Sequence, residues 1–361
     1  MNILVINTIP FDLNGMSMVI MNYYQYMDRT NIHFDFIANN YIDKSFKNII
    51  EKNGDRVYIL KSRNKYPFNY IKTLRELYKK NHYTAVHIHG NSATIELELF
   101  AFRKIKIYKI VHAHGVNTQH PFIHKILNPF FQKSYDIGLA ASKNAGNWLF
   151  KNKKFHIIRN GIDTDKFKFD PSVRAKIRSK YNLNKNLVLL HVGAFTEQKN
   201  QQFLIKVFYK FQKQKHNARL LLAGKGKFIN EIKQQTKSLG IANKVLFLGE
   251  FHNIAQIYSA ADIFVFPSKF EPFGIVALEA QDSGLPCVLS NVLPKAVKQT
   301  TNVKFLPLKI NSWVDFLKTI KIQTNEKRNS HFDLNIKKGG YSIKENAKDL
   351  RNLFLKLNSQ V

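Results

Sequence analysis

The chain reads as an α/β protein of parallel β-sheets divided into two domains, and three observations carry that reading. Short runs rich in Val, Ile, Leu and Phe alternate with helical stretches from one end to the other, as in βαβ units whose sheets are covered on both faces. Several runs end in glycine turns, at Gly15, Gly193 and Gly224. Strand, glycine and helix in succession bring backbone close to a phosphate. At 361 residues the chain is long enough for two cores.

Composition narrows the classes. Lys and Arg number 56 against 25 Asp and Glu, a formal net charge of +31. That bias suits an anionic partner, whether nucleic acid, anionic lipid or a phosphorylated substrate; a solvated basic surface is the plainer alternative. Cys287 is the one cysteine, which excludes a disulfide framework and fits a reducing compartment. The opening MNILVINTIPF has no basic n-region and reads as a buried strand, not a signal peptide. No stretch approaches the roughly 20 apolar residues of a membrane-spanning helix. The expectation is a cytoplasmic protein, peripheral at most to the inner face of a membrane.

Residues 1–7 are strand-like and pass through Asn14-Gly15-Met16-Ser17 into a helix ending near Met27. Residues 34–38 and 57–60 are further strands with a helix between them. Residues 62–80 mix Arg63, Lys65, Lys72, Arg75, Lys79 and Lys80 with Tyr66, Phe68, Tyr70 and Tyr78. This suits nucleic-acid contact, a membrane interface, or a surface helix with a Lys-rich outer face. Residues 85–89 (AVHIH) and 109–113 (KIVHA) are strands that end at Gly90-Asn91-Ser92 and His114-Gly115. Ligands of open parallel sheets bind beyond such ends, which makes Asn91 and His114 candidates. His87, His89, His112 and His114 raise the question of a metal site. The sequence argues against one, because neighbouring strand residues face opposite ways and no Cys or paired Asp accompanies them.

Residues 121–133 carry Phe122, Ile123, Ile126, Leu127, Phe130 and Phe131, more than one buried helix face needs, with Pro129 as an interruption and Lys125 and Lys133 at the borders. With residues 62–80 this stretch is expected to face an anionic membrane. Residues 137–141 form a strand, and Ser142 caps a helix to Phe150. Residues 156–159 lead into Asn160-Gly161-Ile162-Asp163. The second half opens with the continuous apolar run 187–192, followed by Gly193-Ala194-Phe195-Thr196-Glu197-Gln198-Lys199-Asn200. Residues 220–223 lead to Gly224-Lys225-Gly226. Residues 245–248 are another strand, 252–261 a short helix and 303–306 a last strand. Helices follow near 311–322 and 342–357.

The most informative stretch is 264–290, FVFPSKFEPFGIVALEAQDSGLPCVLS. It is a buried strand, a Pro-containing turn, a helix from about Gly274 to Ser283, and a second strand. Glu271 precedes the helix and Glu279, eight positions on, lies within it. An ionised carboxylate beside Val276, Leu278 and Ala280 is costly unless something hydrogen-bonds to it. The amides of Phe273, Gly274 and Ile275 lie between the two acids, at the positive end of the helix, where anions bind. A diphosphate flanked by hydroxyls, as in a nucleotide sugar, satisfies all these groups. An ordinary α/β unit with Glu279 on a partly wet face is the other reading of the residues alone.

The segment EPFGIVALE, with AADIFVFPS before it and SGLPCVLS after it, resembles the E-x7-E motif of retaining glycosyltransferases of family 4. The resemblance covers essentially the whole chain and looks most like transferases of capsular and exopolysaccharide synthesis. It implies the GT-B fold, two Rossmann-like domains with parallel sheets facing across a cleft. The domains implied are an acceptor-binding domain over 1–165, a nucleotide-sugar-binding domain over 166–340, and a helix over 341–361 that crosses back to the first. The turn at Asn160-Gly161-Ile162-Asp163 resembles the family's domain junction.

By the same resemblance Glu271 contacts the donor sugar, Glu279 the ribose hydroxyls, and the backbone of Phe273, Gly274 and Ile275 the sugar and phosphate. The loop of Gly15 lies under the donor phosphates, Gly193 opens the donor-binding pattern of glycine, arginine and lysine, and Lys199 clamps the leaving diphosphate. Asn91 and His114 line the acceptor side, with Lys199, Glu271 and His114 as the catalytic candidates. The family needs no metal or other cofactor for the donor, so Asp163-Thr164-Asp165 is discounted as a metal motif. One departure stands out. Ala194 occupies the place of an expected arginine, leaving Lys225 as a substitute cation or the enzyme weakened. The partners implied are a nucleotide-sugar donor, UDP-linked in the first instance, a glycan or lipid-linked acceptor and an anionic membrane surface, with no nucleic acid. A polyanion-binding protein and an inactive transferase-like scaffold are the rival readings.

Overall fold

The computed structural model describes residues 1–358 apart from Leu13, His252 and His331. His252 belongs to the short helix read over 252–261, and 359–361 to the terminal helix; both lie outside the described residues. The chain forms two units, Met1–Asn160 with Ile343–Val361, and Gly161–Ser342.

In the first unit seven strands, β1 (Asn2–Asn7), β2 (His33–Asn39), β3 (Arg56–Leu60), β4 (Ala85–His89), β5 (Tyr108–Ala113), β6 (Ile137–Ala140) and β7 (His156–Ile157), lie in the order β3-β2-β1-β4-β5-β6-β7. Every pairing is parallel. The second unit holds β8 (Leu187–Val192), β9 (Ala218–Ala223), β10 (Val245–Gly249), β11 (Ile263–Phe266), β12 (Cys287–Ser290) and β13 (Val303–Leu306), in the order β10-β9-β8-β11-β12-β13, again all parallel. Each order reverses once, between β1 and β4 and between β8 and β11. Such switch points are where doubly wound sheets open a crevice for ligands.

The apolar runs follow from burial on both faces. Ile3 and Val5 of β1 join one core cluster, Leu4 and Ile6 another. In β8, Val188 and Leu190 face one side and Leu189 the other. Local signals set the helix starts: Ser142 Oγ accepts from the amide of Ala145 at 3.1 Å, satisfying one orphan donor of the helix Lys143–Phe150. The helix Pro121–Phe131 runs through Pro129 instead of breaking there, because Phe131 is fully buried and its ring packs on Tyr135 and Phe150.

Two details place the boundary between units. The amide of Ile162 donates to the carbonyl of Tyr341 at 2.8 Å, and Ile162 bridges Ser342. Residues 161–165 therefore travel with the second unit, although the sequence suggested a division after 165. The terminal helix Ile343–Asn358 belongs to the first unit. Ile343, Ala347, Leu350, Phe354 and Leu357 are buried in that unit's core, at the spacing of one helix face.

Candidate active site

The site in the second unit is assembled from the loops that follow β8 and β11, the strands flanking the switch point. These loops are stitched together. The amide of Lys269 donates to the carbonyl of Gln198 at 2.8 Å. Gln198 Nε2 donates to the carbonyl of Phe270 at 2.8 Å, and Asn200 Nδ2 to that of Pro267 at 3.1 Å. The result is a direct ion pair between Lys199 Nζ and Glu271 Oε1. Both side chains are largely buried, and the Lys199 ammonium also lies 4.9 Å from the centre of the Phe266 ring. The structure thus brings two of the predicted residues, 72 positions apart in sequence, into contact.

Beyond Glu271 the chain turns at Gly274, whose φ of 95° suits glycine. An added Cβ there would also press within 3.1 Å of Leu293. The helix Ile275–Asp282 starts at the next residue, and no side chain caps its N-terminus. Its first amides and the positive end of its dipole are a place for an anion. Gly193 packs on Lys199, since a Cβ at Gly193 would lie 3.3 Å from Lys199 Cδ. Gly224 approaches still closer: its Cβ would stand 2.2 Å from the Gly193 carbonyl oxygen, so the turn after β9 accepts no side chain.

Glu279 does not touch Lys199 or Glu271 in the structure; Tyr258 OH donates to its Oε2 at 2.8 Å. Burial pushes the Glu279 carboxyl up to about 7, while the Tyr258 hydrogen bond and the nearby Lys166 pull the other way. Part of the side chain keeps contact with solvent. It is a carboxylate held at one oxygen, with capacity left at the other.

Sequence reasoning missed two residues that build this arrangement. Tyr258 sits in the helix Ile254–Ala260, where nothing in its apolar surroundings marks it. Arg328 is buried and donates to the carbonyls of Tyr258, Ser259, Ala261 and Ser283. It thereby joins the C-terminal ends of the Tyr258 and Glu279 helices, where a cation also meets the negative end of each dipole. A lone arginine in a polar stretch, NEKRNS, carries no signal of that burial.

Ala194 is exposed and supplies no cation. Lys225 Nζ pairs with Glu250 at 2.8 Å, both side chains being exposed. Such a surface pair is weak, so an arriving phosphate can compete for the lysine. Asp163 Oδ1 accepts from the amides of Asp165 and Lys166 at 3.0 and 3.3 Å, a local turn.

In the first unit, Gly15 opens the helix Gly15–Tyr26, which Asn14 caps by accepting from the amides of Met16 and Ser17. A Cβ at Gly15 would meet nothing within 4 Å, so packing does not demand glycine there. Asn91 Oδ1 accepts from the amides of His114 and Gly115, both at 2.8 Å. That oxygen holds the turn after β5, and only Nδ2 of the carboxamide remains to meet a ligand. His114 Nε2 lies 2.8 Å from His89 Nδ1. Burial pushes the His114 pKa down to about 4, so the ring is neutral near pH 7. It can exchange hydrogen bonds but offers no positive charge.

Comparisons with known proteins identify the family. The model described as Glycosyltransferase Family 4 matches residues 13–166, and that described as Glycosyl transferases group 1 matches residues 173–321. The putative glycosyltransferase EpsF of Bacillus subtilis (strain 168) is 27% identical over 297 residues, 78% of this chain and 77% of EpsF. The UDP-Gal:alpha-D-GlcNAc-diphosphoundecaprenol alpha-1,3-galactosyltransferase of Escherichia coli is 27% identical over 239 residues, 61% of each chain. HepE of Anabaena, solved in complex with UDP and glucose, has the same fold, with a TM-score of 0.76 at 19% identity over 99% of this chain and 100% of HepE. One matched segment carries the Gly15 turn, Asn91 and His114, the other Lys199, Glu271 and Glu279, and together they span most of the sequence: the chain belongs to the family 4 glycosyltransferases of the GT-B fold.

Proposed function

We propose that the chain transfers a sugar, with retention of anomeric configuration, from a nucleoside diphosphate to a hydroxyl of a glycan or lipid-linked acceptor in cell-surface polysaccharide synthesis. UDP is the first choice of nucleotide. The observation that carries the reading is the Lys199–Glu271 ion pair set just ahead of an uncapped helix N-terminus. As the glycosidic bond breaks, the anomeric carbon becomes electron-poor and the diphosphate gains charge. Lys199 and the first amides of the helix Ile275–Asp282 stabilise that leaving group. Glu271 orients the sugar, and Glu279, held at one oxygen by Tyr258, accepts from the ribose hydroxyls. The acceptor attacks on the face the diphosphate leaves, and a departing phosphate oxygen takes its proton, so no side chain need act as a strong base. The first unit, with Asn91 and His114 at its strand ends, is the proposed acceptor-binding unit. The name of the Escherichia coli relative supports a UDP-sugar donor and a polyprenyl-diphosphate acceptor.

The test is to screen UDP-, GDP- and ADP-sugars for thermal stabilisation, then to assay transfer to lipid-linked acceptors. A chain that no sugar nucleotide stabilises would contradict the reading. The missing arginine gives a sharper check. Charge-assisted hydrogen bonds contribute about 1.5–3 kcal/mol, so Ala194→Arg should raise kcat/KM for the donor roughly tenfold. No gain in that variant would place the diphosphate away from the turn after β8.

Among the described residues no helix is long and apolar enough to cross a membrane. The first unit nevertheless presents an apolar, basic face. Phe122 is 75% exposed and Phe68 87%, with Phe100, Ile126 and Phe130 exposed as well. Their three helices pack side by side, Pro67–Asn81 on Glu96–Ala101 and the latter on Pro121–Phe131, and Lys125 and Lys133 follow Phe122 and Phe130 closely in the sequence. Such rings insert at a headgroup boundary while lysines meet anionic lipid. Binding to anionic liposomes at low salt is expected, and F122S/F130S should abolish it while transfer to a soluble acceptor is unchanged. Wild-type protein that fails to co-sediment with those liposomes would rule out the membrane face.

A further inference from the structure

The alternation of β4 and β5 gathers the four histidines. His87 and His89 point to one face of the sheet, as do His112 and His114, and the strand register sets His89 opposite His112. The sequence argument against a metal site treated alternation as separating the histidines. Two positions apart they share a face, and strand pairing adds the second pair to the first. Ring centroids lie 4.1 Å apart for His87–His89, 5.3 Å for His89–His112 and 4.3 Å for His112–His114.

Within this buried cluster His87 Nε2 and a ring nitrogen of His112 lack a hydrogen-bond partner, while the backbone of Ile158 and the side chain of Asn160 lie beside His112 and His114. Buried polar atoms left unpaired cost stability, and native cores rarely keep several in one place. Beside His87 and His89 lies a cavity of about 20 Å³ whose other walls, Val5, Tyr23, Phe36 and Phe354 among them, are aliphatic or aromatic; His112 does not line it. That is room for one water or one ion. One ring nitrogen from each of His87, His89 and His112 falls in a set whose members all lie within 4.8 Å of one another.

We propose that His87, His89 and His112 form a binding site for one divalent transition-metal ion of the Zn2+ class, with His114 orienting His89 from behind. The donor set selects the class. Neutral imidazoles suit Zn2+ and its neighbours, whereas Ca2+ and Mg2+ require oxygen ligands. His89 shares its Nδ1 with His114 Nε2 at 2.8 Å. Nδ1–H donating there leaves the lone pair on Nε2 to bind the metal, as the outer hydrogen bond of a ligating histidine usually does. Zn–N bonds of about 2.1 Å in a tetrahedron set donors roughly 3.4 Å apart, so the rings close in by small side-chain rotations. The ion would sit among the three ring nitrogens, and one water or hydroxide in the cavity beside His87 and His89 would supply the fourth ligand and, as hydroxide, halve the charge that the apolar surroundings must bear. The ion's role is structural. His87 packs 5.6 Å from Phe354 of the terminal helix, and His112 6.3 Å from Tyr23 of the first helix, so the ion would tie the sheet to both.

The test uses the full chain, stripped with a chelator and titrated separately with Zn2+ and Co2+. One Zn2+ per chain should survive gel filtration and raise Tm, and Co2+ should give the intense visible absorption of a four-coordinate ion. H87F/H112L, which replaces two ligands by apolar side chains, should lose both signals with its far-UV circular dichroism unchanged. H120A, altering an exposed histidine, should keep both. Wild-type protein that retains no Zn2+ overturns the proposal, as does a Co2+ spectrum of the weak, octahedral kind. Undiminished binding in a folded H87F/H112L does the same; should that variant fail to fold, the wild-type Co2+ spectrum decides.

Discussion

Replacing Lys199 by alanine should slow sugar transfer about a hundredfold. The ammonium pairs directly with Glu271 in the loop that follows β8, and the uncapped helix begins a short way along the facing loop. Negative charge grows on the diphosphate only as the bond to the sugar breaks, so a fixed cation there contributes to the transition state more than to the bound substrate. A contribution of about 3 kcal/mol, at 1.36 kcal/mol per decade, gives the hundredfold loss in kcat. Removing Lys199 also leaves Glu271, largely buried, without its cation and repelling the diphosphate. Lys199→Arg should recover part of the rate, because a guanidinium can reach both the carboxylate and a phosphate oxygen. Steady-state rates on purified variants, with circular dichroism to verify folding, are the measurement. Near-normal turnover in Lys199→Ala would mean that the diphosphate leaves elsewhere.

Glu279→Gln should move stability and ligand affinity in opposite directions. Burial raises the Glu279 carboxyl from its ordinary 4.5 to about 7. Between those values the folded protein holds a proton that the unfolded chain has released. The group's contribution to stability is therefore full below pH 4.5 and lost as pH rises through 7. The shift corresponds to about 3 kcal/mol; partial solvent access reduces the realised figure to about 2 kcal/mol. The amide has no charge to desolvate and can still accept from Tyr258, so it should be more stable than the wild type at pH 8 by about that amount and equal to it at pH 4. Denaturant midpoints at the two pH values measure the difference, and equal midpoints at pH 8 would sink the account. Nucleotide affinity should fall roughly tenfold in the variant, because a neutral oxygen accepts hydroxyl hydrogen bonds less strongly than a carboxylate. In the wild type, affinity should climb as pH rises through 7, and in Glu279→Gln that climb should be absent.

Strands buried on both faces have to be written as continuous apolar runs, so β1, β8, β11 and β12 could be read directly, as could the Ser142 cap and the helix that opens after Gly274. The meeting of Lys199 and Glu271 was within reach of the sequence because both sit in loops that follow those strands, and the stretch from Glu271 to Glu279 is contiguous. Contacts set by pairing were not legible. No local signal tells that Tyr258 reaches Glu279, that Arg328 spans two helix ends, or that the Asn91 oxygen is taken by the amides of His114 and Gly115. The histidines make the same point. Each strand by itself places two imidazoles on a face, but whether the two pairs meet depends on β4 lying beside β5 in one register. Register is an outcome of how whole sheets bury their apolar sides, and a stretch of five residues does not contain it.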